Sequence, residues 1–283
     1  MIPREKELKE LFESEDKAIE FLHAHKILPE IQFCRIDGAP LSKISDFKFK
    51  CRKSDCRKIY SSLTDTIFSR LRLKFSDFFR IAYFWIAKVN FSSIVLITGH
   101  SSHTIKRVLN LINDVMIKNL NKTEIKIGGP GIQVQLDESK FGKRKYNRGR
   151  RIEGVWVFGG VEKTPQRKFF AVCVDRRDSE TLNELILRYV LPGSIVITDG
   201  WKGYNLFKKN INFTHYLVNH SISFVNEEGL DTNTIEGTWS GVKRNIPVRC
   251  RTKKRLQKNL FEFIWRRQNK NNLWSSFIDL LKY

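Results

Sequence analysis

The stretch "GSIVITDG", Gly193–Gly200, decides the fold class. Ile195, Val196 and Ile197 form a continuous apolar run with no polar alternation, too short for a helix and bounded by glycines. β-Branched side chains suit a pleated surface, and a run apolar on both faces suits a central strand covered on two sides. The run ends in Asp199-Gly200, a favourable turn pair. Asp199 therefore has two readings, a plain turn residue or a carboxylate carried at the end of a central strand.

Working outward, "IQVQLDE" (132–138) alternates and closes on acids, and "GVWVFGGVE" (154–162) and "KFFAVCVD" (168–175) read as antiparallel neighbours joined by the turn "KTPQR". "SETLNELILRYV" (179–190) is a capped amphipathic helix. Beyond the central run, "YNLFKKN" (204–210) reads as a short helix and "THYLVNH" (214–220) as a strand. A helix opens in "DTNTIEGTWSGVKR" (231–244), and "KKRLQKNLFEFIWRRQN" (253–269) makes another with Leu256, Leu260 and Phe263 inward. Three strands, helix, strand, helix, strand, then helices is an order that resembles the ribonuclease-H-like α/β fold. That fold has a mixed sheet flanked by helices, expected here over residues 130–270, with 271–283 left as a C-terminal tail.

Upstream, residues 1–30 place Leu8, Leu11, Phe12, Ile19 and Leu22 at helical spacing, which predicts one or two short helices. Residues 31–64 hold "CRID" and "FKCRKSDCRKIYS" around a Gly-Pro loop, the outline of a small zinc ribbon. The outline is degenerate: Asp37 stands where a second cysteine is expected, and four residues separate Cys51 from Cys56. Cys34, Cys51 and Cys56 with a carboxylate can hold Zn2+; three ordinary cysteines fit the pattern as well. Residues 65–121 read as a helical DNA-binding domain. "LKFSDFFRIAYFWIAKV" (73–89) predicts a buried amphipathic helix. A short helix from Ser92 or Ser93, a break at Gly99-His100 and a longer helix capped by Ser101 or Ser102 then outline a helix-turn-helix. His103, Thr104, Lys106 and Arg107 are its candidate DNA contacts, with Ile105, Leu109 and Ile112 inward.

The chain carries 51 Lys+Arg against 30 Asp+Glu, a net charge of +21. The bases cluster in two acid-free runs, one holding Lys140, Lys143, Arg144 and Arg148, the other Lys243, Arg244, Arg249, Lys253 and Lys254. Two such runs favour a polyanionic partner, nucleic acid first, over an ordinary solvated face. The longest apolar stretch, "FFRIAYFWIAKV" (78–89), is too short for a bilayer, and the charged N-terminus lacks the apolar core of a secretory signal. Five scattered cysteines argue against a disulfide framework. Together these predict an intracellular protein without membrane attachment.

Asp137 ends the first strand of that order, Asp199 the fourth, and Glu236 lies on the helix after the last. Asn233 and Glu236 also read as an N-cap and its capping-box partner. Carboxylates at strand ends and on an adjacent helix can nevertheless meet at one point. Two like charges about 4 Å apart repel by about 4 kcal/mol at an effective dielectric near 20, so convergence calls for a cation. Mg2+ or Mn2+ prefers oxygen donors, and two such ions suit in-line phosphodiester displacement. Lys243, seven residues after Glu236, shares its helical face and can grip an adjacent phosphate, while Ile235, Trp239, Val242 and Ile246 form the buried side.

At these residues the chain resembles a known family. "VQLDESKFGKRKYNRGRR", "VITDGWKGYNLF", "HYLVNHSISFVNEEGLDTNTIEGTWSGVKR" and "FEFIWRRQN" are similar to the catalytic domain of Merlin-superfamily DDE transposases and their bacterial insertion-sequence relatives. The 36 residues between Asp199 and Glu236 match that group's pattern. The resemblance covers Ile132 to Asn269 and implies a metal-binding triad of Asp137, Asp199 and Glu236. It also implies double-stranded DNA partners, the terminal inverted repeats and the target, and self-association. His220 and Asn233 fall in the same block as candidate catalytic or phosphate-contacting residues. Trp201 and Trp239 read as core rather than base-stacking platforms. The competing expectation is a non-catalytic DNA-binding protein derived from a transposase; a structure-specific nuclease is a third. In a eukaryotic host the location would be nuclear, with Lys143–Arg151 as an import signal.

Overall fold

The computed structural model describes residues 2–29, 31–142, 154–218 and 231–282. The chain divides into two units, Met1–Asn119 with Asn269–Tyr283, and Leu120–Gln268.

The first unit opens with two short helices, α1 (Lys9–Glu13) and α2 (Glu15–Ala24), which bury Leu11, Phe12, Ala18 and Leu22. A three-stranded antiparallel sheet follows: β1 (Leu41–Ser45), β2 (Lys48–Cys51) and β3 (Ile59–Ser61). Helix α3 (Phe75–Ile86) is buried nearly all round, as a core helix must be when it carries apolar residues on every face. Its start lacks a local cap; instead the Glu15 carboxylate accepts from the amides of Phe75 (2.9 Å) and Ser76 (3.0 Å). Helix α4 (Phe91–Thr98) ends on Gly99 at φ 69°, and α5 (Ser102–Lys122) follows, with Ser101 Oγ accepting from Thr104 N at 3.1 Å. Helix α4 starts at Phe91, just before the expected Ser92 or Ser93, and is capped by Asn90, whose Oδ1 accepts from Ser93 N at 2.9 Å.

The second unit is a mixed α/β layer structure. Its central strands are β5 (Gln133–Phe141), β6 (Val155–Glu162), β7 (Phe169–Val174), β9 (Ile195–Asp199) and β10 (Thr214–Val218), ordered β10-β9-β5-β6-β7. Strands β4 (Ile127–Gly128) and β8 (Val190–Leu191) form a separate two-stranded pair. β5, β6 and β7 are antiparallel neighbours, while β9 runs parallel to both β5 and β10. Helix α6 (Ser179–Tyr189) covers one face with Leu182 and Ile186 over Val134, Leu136 and Phe158. Helices α7 (Asn233–Asn245) and α8 (Lys253–Gln268) cover the other with Ile235, Trp239, Val242, Leu256 and Leu260 over Val157, Phe169 and Ala171. "GSIVITDG" is thus a strand with neighbours on both edges, its Val196 and Ile197 buried. Residues 204–210, expected as a short helix, are two 3-10 turns, Lys202–Tyr204 and Phe207–Lys209. Residues 271–283, read from sequence as a tail, contain helix α9 (Leu273–Leu280), whose Trp274 and Phe277 are buried among the aromatic rings of α3. Among the described residues no helix is long and apolar enough to cross a membrane.

Candidate active site and nucleic-acid-binding surfaces

Asp137 does not end its strand. It sits in the middle of β5, opposite Gly159 of β6, and the strand continues to Phe141 because antiparallel pairing with β6 persists to that residue. The parallel ladder with β9 matches Gln133 to Ile195 and Gln135 to Ile197. Continued at the same offset, it sets Asp137 level with Asp199, the last residue of β9. Side-chain alternation turns both acids toward the face that α7 covers.

Helix α7 brings Glu236 to that face. The buried Gln135, two residues before Asp137, holds the start of the helix: its Oε1 accepts from Ile235 N at 2.9 Å and its Nε2 donates to Asp231 O at 2.6 Å. Asp231 is tied in turn to Lys163 Nζ at 2.8 Å, and its Oδ1 accepts from Asn233 N at 3.0 Å. Asn233 is therefore inside the helix rather than its cap; the preceding Asp231 satisfies the orphan amide, and the capping-box pairing expected of Asn233 and Glu236 does not form. Glu236 Oε1 accepts from Thr232 Oγ1 at 3.1 Å. Trp239, one turn on, lies over Gly159, where a Cβ would come within 2.7 Å of the indole.

Asp137 feels the other two acids. The Asp137 carboxyl is pushed up to about 6, first by burial and then by the negative charge of Asp199 and of Glu236, against the opposing backbone amide of Glu138. The Trp239 indole N–H makes no hydrogen bond of acceptable geometry, yet stands near enough to favour the charged Asp137. Glu138, a neighbour that the sequence reading passed over, is pushed up to about 7 by burial first, with Asp137 and Asp199 adding to it. The three acids are looser than a single-ion cage. Among the described residues, only Cys34, Asp37, Cys51 and Cys56 present three or more metal-type donor atoms all within 4.8 Å of one another. There Cys34 Sγ and Cys56 Sγ are 3.7 Å apart, and Cys51 Sγ lies 3.4 Å from Asp37 Oδ2. Asp37 thus stands in the donor set beside the three cysteines.

The basic residues are spread over several surfaces. Lys243 is exposed on α7, its Nζ 5.6 Å from the Phe141 ring centroid, and Lys140 Nζ lies 5.2 Å from that of Trp156. Arg244, Arg249 and Lys254 are exposed, whereas Lys253 Nζ is held by Asp175 at 2.5 Å. Lys106 and Arg107 line a groove of about 600 Å3 with His103, Asn110, Ile67 and Leu71. Lys143, Arg144, Arg148 and His220 lie outside the described residues. Trp239 is buried and Trp201 half-buried. Gln135, Asp231, Glu138 and Tyr204 carry the geometry without having been singled out in the sequence; the one available signal was a polar Gln135 on the same strand face as Asp137.

The family model for the ISXO2-like transposase domain matches residues 127–268, half of the chain. An uncharacterized transposase-like protein of Haemophilus influenzae is 33% identical over 79 residues, 28% of this chain and 63% of that relative, so the match spans less than two thirds of it. Among solved structures, the NurA nuclease from Sulfolobus solfataricus aligns at a TM-score of 0.14 and 15% identity, covering 67% of this chain and 56% of its own, an overlap too weak to carry an argument. The family match covers the whole sheet together with α6, α7 and α8, and so includes all three acids. This chain belongs to the ISXO2-like family of insertion-sequence DDE transposases.

Proposed function

We propose that the chain cuts and joins transposon-end DNA by metal-dependent phosphodiester hydrolysis and transesterification, with Asp137, Asp199 and Glu236 as the metal-holding triad. One observation supports the reading: β5 and β9 pair in parallel up to two residues before Asp137 and Asp199, and the charges of both Asp199 and Glu236 bear on Asp137. The sheet order, numbered from β5 as 3-2-1-4-5, supports the ribonuclease-H-like assignment. The donor set fits hard divalent ions, because three carboxylates, two of whose charges bear on the partly buried Asp137, gain from a shared cation. When bound, two Mg2+ or Mn2+ ions would activate the attacking water or 3′-hydroxyl and stabilise the departing oxygen. The protein's own part is placement. Gln135 fixes the start of α7 and so the position of Glu236, Trp239 seats the helix against Gly159, and Lys243 and Arg244 offer cations to the strand being cut, whereas Lys140 lies over Trp156 on the opposite face.

The Cys34, Asp37, Cys51 and Cys56 cluster fits Zn2+. Tetrahedral bonds of about 2.3 Å place sulfurs about 3.7 Å apart, which is the spacing of Cys34 and Cys56. We assign this module, with the α4–α5 pair and its Lys106 and Arg107 groove, to DNA-end binding. The test is a duplex carrying a terminal repeat, incubated with purified protein and Mn2+. Asp199→Ala should abolish nicking and joining while leaving binding intact. Cleavage that persists in that variant refutes the triad, and wild-type binding without any cleavage favours the non-catalytic alternative.

A further inference from the structure

Main-chain pairing does not fix the distance between Asp137 and Asp199. The ladder joining β5 and β9 ends at Gln135 and Ile197, two residues short of both acids. Past that point, among the described residues, β5 pairs only with β6, and β9 only with β10. The acids therefore face each other across a seam in the sheet.

Side chains cross that seam on the α6 face. Glu138, beside Asp137, turns away from the acids and its side chain is 7% exposed. The buried Tyr204 hydroxyl donates to Glu138 Oε1, and Arg177 Nη1 lies 3.7 Å from Oε2. The Arg177 guanidinium is 3.4 Å from the ring centroid of Trp156 on β6 and 4.7 Å from that of Trp201. Trp201 and Tyr204 belong to the turn directly after Asp199. Trp201 N donates to Asp199 Oδ1 at 3.0 Å, and the two rings meet edge to face at 6.2 Å. Gly203 admits this packing, since a Cβ there would overlap the indole. A carboxylate so buried is tolerated only when paired, and both partners of Glu138 reach it from outside its own strand.

We propose that Glu138, Tyr204 and Arg177 form a clamp across the seam that sets the separation of Asp137 and Asp199 for divalent-metal binding. Glu138 is then a positioning residue, with both oxygens engaged, rather than a fourth ligand. The proposal rests on the reading of the three acids as metal ligands.

The test uses the full-length, zinc-loaded protein and measures Mn2+ affinity directly, from the electron paramagnetic resonance signal of free Mn2+, alongside DNA cleavage and thermal unfolding. Wild-type binding should be lost in Asp137→Asn. Tyr204→Phe and Glu138→Gln should each weaken Mn2+ binding by about 10- to 100-fold, the usual effect of removing support behind a metal ligand. The double variant should be no weaker than the worse single variant, since both weaken the one contact between Glu138 and Tyr204. The cleavage rate at saturating Mn2+ should stay within about threefold of wild type, a shift of under about 1 kcal/mol. If Glu138→Gln does not fold, Tyr204→Phe, which keeps the buried ring, decides alone. Affinity unchanged within about twofold, even with a lowered melting temperature, overturns the clamp, as does Mn2+ binding that survives Asp137→Asn. If Asp137-dependent binding is weakened as expected but DNA is never cut, the clamp stands and the nuclease reading falls.

Discussion

Replacing Gln135 by leucine tests how the triad is assembled. The side chain is fully buried and makes hydrogen bonds to Ile235 N (2.9 Å), Asp231 O (2.6 Å) and Asp231 Oδ1 (3.2 Å). Leucine has nearly the same volume, so packing is conserved and the loss is polar. It strands the Ile235 amide, which lies in the first turn of α7 and has no intrahelical acceptor, and it strands the Asp231 carbonyl. Each orphaned buried group costs about 1–3 kcal/mol, and the surviving Lys163 and Asn233 contacts of Asp231 limit relaxation, so the expected loss is about 2–6 kcal/mol. Urea unfolding should show that loss, and hydrogen exchange should quicken at Ile235 and the following turn of α7. Metal-dependent cleavage should fall further than the folded fraction does, because Glu236 rides on the same turn. A loss below about 1 kcal/mol with unchanged exchange at Ile235 would refute the claim that Gln135 seats the helix.

Four further outcomes follow from the geometry. The purified chain should carry one Zn2+ by elemental analysis, lost in Cys51→Ser and retained or strengthened in Asp37→Cys. His215 is half-buried and is pushed down to about 4, first by burial and then by the charge of Lys208, so the folded state binds fewer protons than the unfolded one. Its contribution is complete above pH about 6.5 and is lost as pH falls through about 4, a loss that His215→Gln should flatten in acid-unfolding curves. Gly159→Ala should destabilise by about 1–3 kcal/mol, because its Cβ would press on Trp239 at 2.7 Å and on Phe170 O at 2.8 Å. DNA affinity should fall with salt at a log–log slope near about −5 if about six phosphates are neutralised; a flat response would remove the nucleic-acid reading.

Local patterns carried much of the architecture. The β-branched run at 195–197, the alternation of 132–138, the turn at 163–167 and the Gly99 break each announce themselves within a few residues, and the elements lie where those signals stand. Local signals also misled at element ends. An N-terminal asparagine followed by a glutamate looks like a capping box, but the acceptor at the start of α7 is Asp231, two residues earlier. Asp137 looked like a strand terminus because two acids interrupt the apolar pattern, whereas pairing with β6 carries β5 on to Phe141. The last residues were read only as a tail, yet Trp274 and Phe277 pack on the aromatic surface that α3 offers.

The sequence by itself determined a mixed α/β domain, three separated acids and a surface rich in cations, since side-chain period, turn chemistry and charge are properties of neighbouring residues. Only the tertiary structure decided that β5 and β9 pair in parallel up to Gln135 and Ile197, that Gln135 and Asp231 aim α7, that Asp37 joins three cysteines, and that Glu138 is gripped from the turn after Asp199. Those relations depend on strand register and on contacts between residues tens of positions apart. Shifting the register by one residue would turn Asp137 to the opposite face without altering a single local pattern.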